Sequence, residues 1–234
     1  MAHTVTRRQS GDIELTITLP WTQVAAEIAK QTQAAVAAAK LPGFRPGKAP
    51  ASLVEPQLDK NQLYSATVQA LLPPAYAAAV KDRQLKPILY PHIHVSKIDP
   101  DQDWVFTLHT CEVPTVTLID YQPLVAGVAK DPADTRIVRI LDVLRQRAGL
   151  NLPDMLVEEE ANHRLSALVE NLTQLGMTTK SYLEAKKITS ENLKAAMARD
   201  ARADLEAEFI LSHIQTEQKL PDRKHTLDYL LTLV

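Results

Sequence analysis

Histidine and cysteine side chains at alternate positions of two segments could bind a metal or support a nucleophile. His92 and His94 are two residues apart, as are His109 and Cys111. Alternate residues of a strand share a face, so three imidazoles could form a metal site, or His109 could act as a base for Cys111. No orienting residue or oxyanion motif accompanies them, and surface-strand histidines are the simpler interpretation. We therefore predict no metal site and no catalytic site here.

Other sequence patterns do not indicate an enzyme either. The acidic run Glu158–Glu160 is better explained as the first turn of a helix, where carboxylates complement the helix dipole, than as an acid/base pair. The chain has no glycine-rich phosphate loop and no cysteine or histidine cluster with zinc spacing. Its one cysteine excludes an intrachain disulfide and fits a reducing compartment. The sequence predicts no catalytic residue, no cofactor and no metal.

The segment of residues 41–50 is typical of a docking loop. It holds three prolines and two glycines, which predict a stiff and sharply turned backbone. Its other side chains include Phe44, Arg45 and Lys48, and no acidic residue lies between Lys40 and Val54. An exposed aromatic ring beside cations suits an anionic partner with an apolar pocket. The alternative is a plain helix connector with Phe44 packed in the core.

The loop resembles the ribosome-docking signature of the trigger factor family, Gly-Phe-Arg-x-Gly-Lys-x-Pro. This family contains bacterial chaperones that meet nascent chains at the ribosomal tunnel exit. The matching positions are Gly43, Phe44, Arg45, Gly47, Lys48 and Pro50. The resemblance continues through residues 1–120 and into the second half of the chain. It implies that Gly43, Phe44, Arg45, Gly47 and Lys48 bind the large ribosomal subunit, both protein and nearby RNA.

The first 120 residues predict an α+β domain. Asp12–Leu19 alternates polar and apolar residues, as a half-buried strand does. Pro73 and Pro74 lie inside a helical pattern and should kink or split it. We predict a four-stranded antiparallel sheet with helices on one face. Its strands are expected at Thr4–Arg8, Asp12–Leu19, Ile88–Ile98 and Asp103–Val113, and its helices at Trp21–Lys40, Pro50–Leu58 and Asn61–Lys81.

The last 104 residues, 131–234, predict an all-α domain of helical hairpins. One helix should open at Asp131-Pro132, and another should run from Asp154 to a stop at Gly176. Thr179 and Ser190 are the expected N-caps of two further helices. Residues 121–130, with Pro123 and Gly127, are expected to be a linker between the two domains.

The chain departs from the family in two ways. Trigger factors carry an FKBP-like prolyl isomerase domain between the two halves, whereas here Tyr121–Lys130 leads directly into the helical half. The helical half is also shortened. The resemblance then implies docking and holding of chains without isomerisation. Met155, Met177, Met197 and Phe209 are the expected substrate-holding residues, because adaptable apolar side chains suit varied clients. Filling gaps in the core is the alternative for the methionines.

Composition agrees with an ordinary globular protein. The chain has 234 residues, 45% hydrophobic and 23% charged, with a net charge of −2. No apolar run approaches the about 20 residues of a membrane helix, so we expect a cytoplasmic protein without a membrane partner. The predicted function is an ATP-independent, trigger-factor-like chaperone for nascent or unfolded chains. One alternative is a ribosome-independent holding chaperone or assembly factor, which could form a homodimer. Another is an RNA-binding module, but the sequence shows no aromatic platform on which bases could stack.

Overall fold

The structure is a computed structural model that describes residues 2–8, 10–39, 42, 44, 50–118, 120–128 and 133–234, the last range without the side chains of residues 133 and 134. The chain divides into two compact units. One consists of Met1–Arg7 and Ile13–Glu112, and the other of Arg8–Asp12 and Val113–Val234. The predicted domain boundaries at residues 120 and 131 stay a prediction.

The first unit contains the expected sheet. Strands β1 (Ala2–Arg7), β2 (Asp12–Leu19), β3 (His92–Lys97) and β4 (Trp104–Cys111) form a four-stranded sheet in the order β1-β2-β4-β3. Pairing is antiparallel between β1 and β2 and between β3 and β4. The alternation in β2 is reproduced in its burial, because every second side chain from Ile13 to Leu19 is buried. The prediction of this sheet is confirmed.

Helices cover one face of the sheet. They are α1 (Trp21–Ala38) and α3 (Lys60–Asp82). Between them in the chain lies the short α2 (Ala51–Val54), which continues into a 3₁₀ turn at Glu55–Gln57. The core between helices and sheet contains Leu15, Ile17, Leu19, Val24, Leu72, Ala75, Ala79, Trp104, Phe106 and Leu108. The Trp104 ring meets Tyr64 edge-on with a centroid distance of 5.2 Å, and its Nε1–H donates to the Asp99 carbonyl.

Helix α3 is not split at its two prolines. It runs from Lys60 to Asp82 with Pro73 and Pro74 inside. Both proline side chains are exposed, whereas the neighbouring Leu72 and Ala75 are buried against the sheet. Water can therefore reach the backbone where the prolines remove N–H donors, and packing of the buried side holds the helix together.

The second unit is mostly helical, as expected. Its helices are α4 (Tyr121–Ala126), α5 (Ala133–Arg147), α6 (Asp154–Gln174), α7 (Thr179–Lys186), α8 (Ser190–Glu217) and α9 (Arg223–Thr232). It is not entirely α, because β5 (Val116–Thr117) pairs with β6 (Gly149–Leu150). Gly149 follows α5 and enters this pair, where a Cβ atom would lie 3.3 Å from the Thr117 Cβ.

Within the predicted linker of residues 121–130, Tyr121–Ala126 forms α4. Tyr121 and Val125 belong to a core with Leu118, Ile140, Leu144, Ile210, Leu211, Ile214 and Leu230. Burial raises the pKa of the Tyr121 hydroxyl above its ordinary value. Pro123 and Gly127 indicated a loop, but Pro123 lies in the first turn, where the helix needs no N–H donor, and Gly127 is the C-cap that follows the last helical residue.

The N-caps of two helices lie one residue before the predicted ones. Thr178, not Thr179, is the N-cap of α7, and Thr189, not Ser190, is the N-cap of α8. The Thr178 side chain accepts from the Ser181 backbone N–H, and the Ser181 hydroxyl accepts from the Thr178 N–H. This reciprocal capping box decides between two adjacent threonines.

Candidate functional site

The predicted docking loop lies between α1 and α2. Helix α1 ends at the extended C-cap Ala39, and α2 follows Pro50. Phe44 is 44% exposed and belongs to none of the described cores, so its ring is accessible. Of the other predicted docking residues, Gly43, Arg45, Gly47 and Lys48 lie outside the described residues. Their role stays a prediction.

A second exposed apolar feature is the corner between α6 and α7, formed by Leu175, Gly176 and Met177. The Met177 N–H donates to the Leu172 carbonyl at 2.9 Å, and the Gly176 N–H to the Thr173 carbonyl at 3.0 Å. With Gly176 at φ +69°, this is a Schellman motif, which ends the helix and turns the chain sharply. Leu175 is 77% exposed and Met177 is 42% exposed. The backbone turn thus leaves two apolar side chains exposed to water.

Leu175 was missing from the predicted substrate-holding residues. Its spacing indicated the buried face of α6, because it continues the series of apolar residues that includes Leu165, Leu168 and Leu172. The structure makes it the C-cap of α6, where the chain has already left the helical path. The signal in the sequence was the adjacent Gly176, since the residue before a Schellman glycine no longer follows the periodicity of the helix.

A groove of about 420 Å³ lies between α6 and α8. Its floor includes Val157, Ala161, Leu165 and Met197, whereas Asp154, Glu158, Lys194 and Arg202 make its margins polar. Among the predicted substrate-holding residues, Met197 therefore lines a groove. Met155 is partly buried. Phe209 packs against the small core of Leu152, Val157 and Ala201. The described lining of this groove does not bring the four residues together.

Charged pairs fix α8 to its neighbours. Arg164 on α6 donates to Asp204 on α8 at 2.8 Å and to Glu160 at 2.7 Å. The hydrogen bonds that Arg164 donates to Glu160 and Asp204 raise its pKa, so it stays a cation. Arg202 pairs with Asp154 at 2.7 Å, Arg145 of α5 pairs with Glu206 at 2.9 Å, and Arg223 pairs with Glu208. Of these pairs, Arg164–Asp204 and Arg202–Asp154 join the two helices that border the groove.

The histidines do not form a metal centre in the described part of the chain. His92 and His109 are cross-strand neighbours, and His94 lies opposite Thr107. No group of three histidine, cysteine or acidic side chains within the described ranges could hold a metal ion. None of the described helices combines the length and apolarity needed to cross a lipid bilayer.

Comparison with known proteins tests the resemblance of the sequence to a chaperone family. The family model described as bacterial trigger factor protein (TF) matches residues 1–137. The chain belongs to the trigger factor family. The model described as bacterial trigger factor protein (TF) C-terminus matches residues 130–224. Because the two trigger factor matches overlap, no residues of this chain lie between them.

Individual trigger factors are similar to parts of the chain. The trigger factor of Mycobacteroides abscessus is 31% identical over 150 residues, which are 64% of this chain and 31% of that protein. The trigger factor of Streptococcus pneumoniae is 32% identical over 149 residues, 63% of this chain and 34% of that protein. The alignments thus span about a third of the length of these relatives.

One solved structure comes from work on promiscuous substrate recognition in the folding and assembly activities of the trigger factor chaperone. It is 20% identical, with a TM-score of 0.44, and the match covers 61% of this chain and 33% of that chain.

Proposed function

We propose that this protein is a chaperone that docks at the tunnel exit of the large ribosomal subunit and holds nascent or unfolded polypeptides without ATP. Membership of the trigger factor family together with the accessible Phe44 ring carries the proposal. Phe44 lies within the family's docking signature, and an aromatic ring held out in water can be buried by a partner. The chain works in the cytoplasm, where ribosomes and nascent chains are found.

Holding is assigned to the helical unit. Clients of a general chaperone share little except exposed apolar side chains, so a surface that holds them must be apolar and tolerant of shape. The corner residues Leu175 and Met177 have this character, as does the groove floor around Met197. The sequence contains no nucleotide-binding loop. Many weak apolar contacts then delay aggregation stoichiometrically.

Co-sedimentation with purified ribosomes at two salt concentrations tests the docking proposal. We expect binding at low salt that weakens as salt rises, because the loop sequence contains the cations Arg45 and Lys48 and the proposed partner is anionic. A chain that suppresses aggregation but stays in the supernatant at both salt concentrations would instead be a ribosome-independent holding chaperone.

Replacing Leu175 and Met177 together by serine should weaken client holding. Burial of each side chain by a client contributes about 1 kcal/mol or more, so we expect client affinity to fall about tenfold or more. Light scattering of a refolding client without ATP measures the effect. The matched control replaces Val113 and Val138, each 58% exposed, by serine. An equal loss of client holding in the control variant would show that any exposed apolar residue can contact clients, and would contradict a defined holding surface at the corner.

We expect no prolyl isomerase activity. The two family matches overlap at residues 130–137, where full-length relatives are expected to carry the isomerase domain. Uncatalysed isomerisation takes on the order of tens of seconds, so even slow catalysis is measurable with a proline-containing peptide. Acceleration proportional to the concentration of the purified protein, and removed by a substitution within it, would contradict this expectation.

A further inference from the structure

Strand β3 (His92–Lys97) is an edge of the four-stranded sheet. Its one neighbour among the described strands is β4, so the backbone groups on its other side have no strand partner in the described chain. All six residues of β3 are exposed. Natural proteins usually cover such an edge or protect it with charge, bulges or proline. Here the register shifts between Val95 and Lys97, which leaves His92–Val95 as a regular stretch.

The helix-facing side of β3 is apolar and open. Ile93 and Val95 lie opposite the buried Leu108 and Phe106 of β4, and therefore share the face that α1 and α3 cover elsewhere. Yet Ile93 is 55% exposed and Val95 is 51% exposed. The helical layer thus stops short of the edge strand.

A groove follows this uncovered edge. It has a volume of about 370 Å³ between α3 and β3, and Val68, Leu72 and Tyr76 of α3 form one wall. The other wall includes Ile93, Leu108 and Tyr90, which is 95% exposed. None of the described lining residues is charged. The groove therefore disfavours a charged ligand, because burying a charge there would leave it unpaired.

We propose that this edge groove binds an extended, apolar, uncharged polypeptide segment, which adds to the sheet as a fifth strand beside β3. Backbone groups of β3 that point away from β4 bond to the added strand, and every second side chain of that strand points towards the groove. This goes beyond the proposed function, because it places a peptide site in the first unit with a different mode of recognition from the helical corner.

The size of the edge favours an extended segment over a second folded copy. Six residues of strand are about 20 Å long. A folded partner joined along that line alone would bury a few hundred Å² per side, against about 800 Å² per partner in a stable interface. Edge-to-edge pairing would also leave both grooves uncovered, since each groove lies on a face of the sheet. An extended chain occupies the edge and the groove together.

Binding of a fluorescent peptide to the full chain tests the proposal. The probe is an uncharged peptide of about seven residues that alternates valine and threonine, a typical strand length. We expect the double variant Ile93→Lys, Val95→Lys to bind about tenfold more weakly in fluorescence anisotropy, because the lysines replace apolar contacts and would be desolvated by the peptide. The matched control His94→Lys, Ser96→Lys adds the same charge to the other face of the same strand and should bind like the wild type.

Backbone pairing has its own test. Bound peptide should slow hydrogen exchange at those amides of His92–Lys97 that point away from β4. Of two peptides N-methylated only at the valines or only at the threonines, one should lose binding, because alternate amides of a strand face the same edge. Absence of binding, equal weakening in the control variant, or binding by both methylated peptides would overturn the proposal. So would sedimentation of the protein as a dimer that the Ile93→Lys, Val95→Lys variant dissociates, which would assign the edge to a second copy.

Discussion

Replacing Phe44, Arg45 and Lys48 together by alanine is expected to abolish co-sedimentation with ribosomes while the melting temperature stays unchanged. Phe44 is 44% exposed and contributes to none of the described cores, so its loss costs little stability. At an interface, an aromatic or arginine anchor costs about 2 kcal/mol or more when truncated. Loss of all three should weaken binding more than about hundredfold.

The matched control removes the same kinds of side chain from another surface of the first unit. Lys86→Ala, Tyr90→Ala and Lys97→Ala also remove two cations and one exposed aromatic ring. We expect this variant to co-sediment like the wild type. The single variant Phe44→Ala should bind weakly yet keep the salt dependence, because Arg45 and Lys48 remain. Unchanged binding of the loop variant, or a large fall in its melting temperature, would contradict the docking role.

Local patterns in the sequence were sufficient to predict an element when one of its faces is buried along its whole length. The alternation of Asp12–Leu19 predicted β2 to the residue, since every second side chain packs in the core. Asp154 and Gly176 bracket α6 because a charged first turn and a left-handed stop are local signals. The prediction of the docking loop rests on the same kind of signal, a short pattern of residue types, and stays a prediction.

Tertiary packing decided what the sequence did not predict. Helix α4 spans six residues, too few to show a periodicity, and its Tyr121 and Val125 are defined by partners on α5, α8 and α9. The two-residue strands β5 and β6 carry no local signal either, because they pair across residues 116–150. At the candidate site, Leu175 followed the helical spacing but lies beyond the helix. The edge groove depends on where α3 stops covering β3, which no sequence pattern states.

Separating the two units should separate ribosome binding from client holding. We expect residues 1–112 to co-sediment with ribosomes, and residues 113–234 to suppress aggregation of a refolding client in light scattering. The Phe44 loop lies in the first part, whereas Leu175, Met177 and the groove around Met197 lie in the second. The edge groove of β3 should give residues 1–112 only weak protection. Equal protection by the two fragments would contradict this division.

The cut must lie at residue 112 and not at the predicted boundary of residue 130. A fragment of residues 131–234 loses Leu118, Tyr121 and Val125, all buried in the core that also contains Ile140, Leu144, Ile210, Leu211, Ile214 and Leu230. Removing one large buried side chain costs about 2–5 kcal/mol, and the whole stability of a domain is about 5–15 kcal/mol. We therefore expect residues 113–234 to melt cooperatively in circular dichroism and residues 131–234 to show no cooperative transition. A fragment of residues 131–234 that melts like the longer one would mean that α4 is dispensable, and would support the boundary that the sequence predicted.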